Sequence, residues 1–86
     1  MEQENVSILK FTVGEGDFDT IEKATQSLKD GQMIVVQFRG INEETETKYR
    51  KILEDVIIAL DGSTNRISTD IHIFMPNGIT AQSFEN

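Results

Sequence analysis

The chain has no cysteine, a single proline and a single histidine among its 86 residues. Without thiols there is no disulfide to brace the fold, no thiolate metal site and no cysteine nucleophile. The lone histidine, His72, has no second His or Cys with which to build a typical zinc set. Basic residues are scarce too: eight Lys and Arg against fifteen Asp and Glu give a net charge of −7. A nucleic-acid surface must neutralise phosphates, and these cations are scattered. The only basic cluster, Lys48, Arg50 and Lys51, is surrounded by Glu43, Glu44, Glu46, Glu54 and Asp55. On a helix, Glu44/Lys48 and Glu46/Arg50 fall at i,i+4, which makes a self-neutralised solvated face. No apolar run approaches the ~18 residues of a membrane span. Met1-Glu2-Gln3-Glu4 is too acidic to open a signal peptide. These exclusions point to one small soluble intracellular domain over residues 1–86, with residues 1–5 as a flexible lead.

What is present is a modest core, 37% apolar residues, arranged with clear periodicity. Val6 to Val13 alternates as a strand, with Leu9, Phe11 and Val13 on one face. Gly14-Glu15-Gly16 breaks it, and Asp17 is placed to cap a helix. Phe18, Ile21, Ala24 and Leu28 then form one helical stripe, ended at Asp30-Gly31. Met33 to Phe38 is a second strand, and its Met-Ile-Val-Val run has the pattern of a strand covered on both faces. Asn42 can cap a second helix to about Leu60, with Tyr49, Ile52, Leu53, Val56, Ile57 and Leu60 as its apolar set. Its end, Val56 to Leu60, is apolar around most of the circumference. Asp61-Gly62-Ser63 closes it. Thr64 to Ser68 and Ile71 to Met75 make a hairpin, and Ile79 marks a possible further strand. The expected fold is α/β, a two-layer sandwich of two helices on a mixed sheet of four or five strands, ordered β-α-β-α-β-β(-β).

Crossovers between parallel strands are right-handed in nearly all cases, so two that step the same way put both helices on one face. The other face is then bare, although the second strand and Ile71-His72-Ile73-Phe74-Met75 carry apolar groups on both sides. Either the helices divide between the two faces, or a second copy supplies the cover through a two-fold contact. The all-round apolar helix end favours the second copy, since monomers rarely expose large apolar patches.

The short motifs are better read as structure than as chemistry. Gly14-x-Gly16 resembles a dinucleotide loop, but Asp19 stands where the third glycine belongs, and Asp17 and Asp19 would repel a pyrophosphate. Glu15, Asp17 and Asp19 imitate a calcium loop, yet Thr20 and Gln26 replace its glycine and terminal glutamate. His72 lies in a strand among apolar neighbours, with no Ser and acid specified to join it. Asn5-Val6-Ser7 fits a glycosylation pattern without a secretory signal to give it use. No catalytic constellation and no cofactor or metal site is expected; the chain reads as a binding domain, not an enzyme.

Three stretches, in order, carry a family resemblance. Leu28-Lys29-Asp30-Gly31-Gln32-Met33-Ile34-Val35-Val36 joins a helix to a hydrophobic strand through glycine. Ile52 to Gly62, with Ala59-Leu60-Asp61-Gly62-Ser63, is a second helix and glycine turn. Arg66-Ile67-Ser68-Thr69-Asp70-Ile71-His72-Ile73-Phe74-Met75-Pro76 is a closing hairpin. From Phe18 onward this resembles the core domain of SepF, the cell-division protein that anchors FtsZ to the membrane. The resemblance implies a dimer that binds the C-terminal tail of FtsZ, in the cytoplasm at the division site on the inner face of the membrane. Family sites put a basic residue and an aromatic on the hairpin, which fall here on Arg66 and His72, with His72 replacing the usual Phe. Phe74 and Ile58 are further candidates for the apolar contact, and Ile57, Leu60 and Gly62 are the candidates for the dimer interface.

Two departures from the family pattern shape the expectation. The family's N-terminal amphipathic helix is not matched by Met1 to Asn5, too short and acidic to hold a membrane surface, so the anchor is expected outside this chain. Asp61-Gly62 stands where bacterial relatives often have Gly-Gly, and a charge there disfavours close helix contact. This implies a non-polymerising dimer closer to the archaeal members. The alternative reading is a dimeric regulatory module that holds a small metabolite in an apolar pocket.

Overall fold

The computed structural model describes residues 8–76. Four strands and two helices follow in the order β1 (Ile8–Val13), α1 (Phe18–Lys29), β2 (Met33–Phe38), α2 (Glu43–Ala59), β3 (Ser63–Arg66) and β4 (Ile71–Met75). The sheet order is β1-β2-β4-β3, with β1 parallel to β2 and β4 antiparallel to both its neighbours. This is the expected two-layer α/β sandwich. The further strand expected at Ile79 lies outside the described residues.

Both crossovers step in the same direction along the sheet, and both helices share one face. Val13, Ile34, Val36, Phe38 and Phe74 from the strands meet Ile21, Ala24, Leu28, Leu53 and Ile57 from the helices in a single core. Of the two arrangements left open by the sequence, the helices therefore do not divide between faces. The opposite side carries Ile8, Met33, Val35, Ile71, Ile73 and Met75 by strand alternation and register. None of these is fully buried.

The helix ends follow from local chemistry, with one difference from expectation, at Asp17. Asn42 caps α2, its side chain accepting from the Thr45 N–H at 2.9 Å. Asp17 precedes α1 but makes no side-chain cap. Its carboxylate instead accepts from the Gly14 N–H at 2.8 Å and closes the loop before the helix. Gly31 ends α1 in the left-handed conformation, φ 88°. At the end of α2 that place is taken by Asp61, φ 60°, with Gly62 following. Gly62 serves another need: a β-carbon there would collide with the Met75 carbonyl. Only glycine lets the α2–β3 turn lie this close to the end of β4.

Candidate functional site

The hairpin residues singled out from the sequence sit where α2 crosses β4 and the edge strand β3. Register places Arg66 directly opposite His72, and Thr64 opposite Phe74. On β4, His72 and Phe74 face the helices, so their cross-strand partners Arg66 and Thr64 stand on the helix side of the sheet too. Arg66 is exposed, and its Nε donates to the Ser68 carbonyl at 3.3 Å. That bond steadies the side chain across the hairpin loop.

His72 lies beneath this surface, only 6% exposed. Its ring packs edge-on against Phe38, centroids 5.8 Å apart, and stacks with Phe74 at 6.2 Å. The Nε2 atom is buried without a hydrogen-bond partner. Burial is the main cause that pushes the imidazole pKa below its usual 6.5, followed by the positive charges of Arg50 and Arg66; Glu46 and Glu54 pull it partly back. His72 is therefore a neutral core ring at pH 7, not an exposed contact residue.

The other candidates divide by accessibility. Phe74, 1% exposed, and Ile57, 2% exposed, are interior residues of the core. Leu60 packs against that core from its edge, and Gly62 faces the Met75 backbone. Ile58, 74% exposed, is the large apolar residue of this helix end that projects outward. The structure thus sets Arg66 opposite His72 across the β3–β4 pair and leaves Ile58 exposed near the end of α2.

Arg50 is the residue that sequence reasoning passed over. Its guanidinium lies 3.6 Å from both Glu46 and Glu54, one turn away on either side. Of the two expected pairs, Glu46/Arg50 forms, with Glu54 joining it from the next turn, and Glu44/Lys48 is not among the ion pairs of the described residues. Arg50 acts electrostatically on His72 from α2. The i,i+4 spacing of Glu46, Arg50 and Glu54 was the available signal, and it reads as ordinary helix stabilisation until β3 is placed beside it.

Two of the three acids of the imitation calcium loop, Glu15 and Asp17, are engaged within the fold. Glu15 accepts from the Asn42 N–H and Asp17 from the Gly14 N–H, both at 2.8 Å. Among the described residues no group of three or more His, Asp or Glu is placed to hold a metal ion. No helix among them is long and apolar enough to cross a membrane.

Residues 16–80 match the family model for cell division protein SepF. The chain belongs to the SepF family. It is 31% identical over 62 residues to cell division protein SepF 2 of Desulforamulus reducens, covering 72% of this chain and 38% of that protein. It is 29% identical over 62 residues to cell division protein SepF of Ruminiclostridium cellulolyticum, covering 72% of this chain and 40% of that one. The chain thus spans about two fifths of the curated relatives it matches. Among solved structures, the fold is similar to the SepF-like protein from Pyrococcus furiosus, with TM-score 0.72 and 18% identity over 88% of this chain and 93% of the other. The SepF-like protein from Archaeoglobus fulgidus follows with TM-score 0.68 and 16% identity, covering 83% and 88%. SepF is a family of cell-division proteins, not of enzymes.

Proposed function

We propose that this domain is a division adaptor: it dimerises and binds the C-terminal tail of FtsZ beside the closing hairpin. The observation that carries the reading is Arg66, an exposed cation on the edge strand, paired across the sheet with the buried His72 in a SepF-family fold. An acidic domain that meets an acidic tail needs local positive charge, and Arg66 supplies it on the edge strand. Ile58, near the end of α2, is the accessible apolar contact. Phe74 and His72 act from below, as the floor that holds the hairpin in place.

The second copy covers the bare sheet face. Met33, Val35, Ile71, Ile73 and Met75 form an apolar patch there in which Lys10 is the one charged neighbour on these three strands. Burying one large aliphatic side chain contributes roughly 1.5–3 kcal/mol, so several of them matter greatly to a domain this small. The helix end at Ile57, Leu60 and Gly62 is a weaker candidate for this contact, because those residues are already engaged inside the protomer.

Two tail sites per dimer turn weak single contacts into firm attachment to a filament with many tails, through effective concentration. Each contact is weakened by the cost of ordering an unstructured tail. Membrane linkage at the cytoplasmic side of the division site falls to a segment other than the domain described. Asp61 in the helix turn supports a dimer that stops at two, as in an archaeal-like member; filaments of the pure protein in electron micrographs would contradict that. The binding site is tested by Arg66→Glu, which is expected to weaken tail binding at least tenfold with the dimer intact. Unchanged affinity in calorimetry would remove the site from the hairpin.

A further inference from the structure

We propose that an acidic peptide binds this domain as an added strand on the outer edge of β3, held by the main-chain groups of Thr64 and Arg66 and by the Arg66 guanidinium. The inference rests on the tail-binding reading above and gives it a binding mode, strand addition at a sheet edge.

The register decides which main-chain groups are free. In an antiparallel pair, opposed residues alternate between those that exchange hydrogen bonds and those that do not. The Ile67 N–H donates to the Ile71 carbonyl at 2.8 Å, so Ile67 turns its polar groups toward β4, and so do Asn65 and Ser63 at the same spacing of two. On the other side of β4, the Phe38 N–H donates to the Asp70 carbonyl at 2.9 Å. By the same alternation His72 and Phe74 bond toward β2, which leaves Ile71, Ile73 and Met75 for β3. The two bonds agree. Thr64 and Arg66 therefore aim N–H and C=O away from the sheet. Among the described residues no strand lies on that side, because β3 ends the order β1-β2-β4-β3.

The side chains of β3 suit a receiving edge. All four residues are exposed, and none is a proline that would remove a donor. Ser63, Thr64 and Asn65 are short and polar, which makes this edge a poor template for indiscriminate apolar pairing. Selectivity falls to Arg66, whose bond to the Ser68 carbonyl is long at 3.3 Å and can yield to a carboxylate. A strand laid along β3 sets one of its side chains directly across from Arg66, about 5 Å away, where an opposite charge is favourable. The ligand this edge fits is thus an extended peptide with Asp or Glu at the residue facing Arg66.

The test follows amide hydrogen exchange by nuclear magnetic resonance in the intact chain, free and with an FtsZ C-terminal tail peptide. Capped Glu-Val-Glu-Val-Glu-Val serves as a second probe. In the free chain the Thr64 and Arg66 amides are expected to exchange fast beside a protected Asn65, and saturation with the tail should slow both about tenfold. Tail peptides N-methylated at one residue at a time should lose affinity about tenfold at every second position of the bound stretch and little between. Thr64→Pro removes an outward N–H without taking a bond from the β3–β4 ladder, and should weaken binding where Thr64→Val does not. The methylation series decides the matter should Thr64→Pro fail to fold. Thr64 and Arg66 amides already protected in the free chain would overturn the inference, since the edge would then be filled. Tail binding with a flat methylation profile and unchanged exchange at both amides would overturn it too, and leave the adaptor reading standing. If the tail fails to bind but the Glu-Val peptide slows the two amides, strand addition stands and the adaptor reading falls. If neither peptide binds, both fall.

Discussion

Glu15 and Asn42 lie 27 residues apart in the chain and meet at the start of α2, where the Glu15 carboxylate accepts from the Asn42 N–H at 2.8 Å. Thr45 completes the junction, donating its N–H to the Asn42 side chain at 2.9 Å. The loop between β1 and α1 thus lashes the helix that carries Arg50 and Ile58. Loss of an N-cap costs about 1 kcal/mol. Asn42→Ala is expected to lower stability by about that amount, and Glu15→Ala by less, because its partner N–H can turn to water. Urea denaturation of the two single variants and the double should show coupling between them; strictly additive effects would mean the two residues do not act together.

Gly62→Ala should be among the most damaging single-methyl changes in the domain. The added carbon meets the Met75 carbonyl and the Pro76 backbone, neither of which can swing aside like a side chain. Overpacking of this kind costs about 1–3 kcal/mol. Asp61→Gly, one residue earlier, should be neutral or mildly stabilising, because Asp61 holds a φ of 60° that glycine adopts freely. Thermal melts that rank the two variants the other way would contradict the assignment of these roles.

His72 should make the free domain sensitive to acid. Burial first, then Arg50 and Arg66, hold its pKa below the 6.5 of the unfolded chain. Its contribution to stability is therefore complete above about pH 6.5 and is lost as pH falls toward the lower folded value. The loss cannot exceed about 1.4 kcal/mol per pH unit for one group. Urea midpoints measured at pH 7.5 and 5.5 are expected to drop more for wild type than for His72→Phe. Equal drops would show that His72 keeps its charge balance on unfolding.

The bare sheet face makes its own prediction. Val35 and Ile73 pair across β2 and β4 at its centre. Val35→Asp or Ile73→Lys should convert a dimer to a monomer in light scattering while the far-ultraviolet circular dichroism stays that of an α/β fold. A dimer that survives both changes would move the interface to the helix end, where Ile58→Asp is the corresponding probe.

Much of this was legible in the residues themselves. Ile21, Ala24 and Leu28 with Leu53 and Ile57 became the helical half of the core, because burial at helical spacing leaves few alternatives; Phe18, which heads the expected stripe, stays exposed at the first turn with its ring beside Tyr49. The Met33–Phe38 strand kept its bounds, and Asn42 its cap. The site was only half readable. Arg66 and His72 could be matched to a family pattern, but one sequence does not say that the first is exposed and the second, its cross-strand partner, buried. That difference follows from β3 being the edge strand, a fact of sheet order. Asp17 went astray for a related reason: its side chain had a nearer donor in Gly14 than in the helix it precedes. Arg50 stayed hidden because its helix partners explain it fully until β3 is placed alongside.

The measurement that tests the account most directly is a calorimetric titration of the chain with an FtsZ C-terminal tail peptide, with mass by light scattering and Arg66→Glu in parallel. The account predicts a dimer that binds one tail per protomer saturably, and at least a tenfold loss of affinity in Arg66→Glu at unchanged mass. A well-folded dimer with no saturable binding, or one whose binding ignores the charge at Arg66, would contradict it.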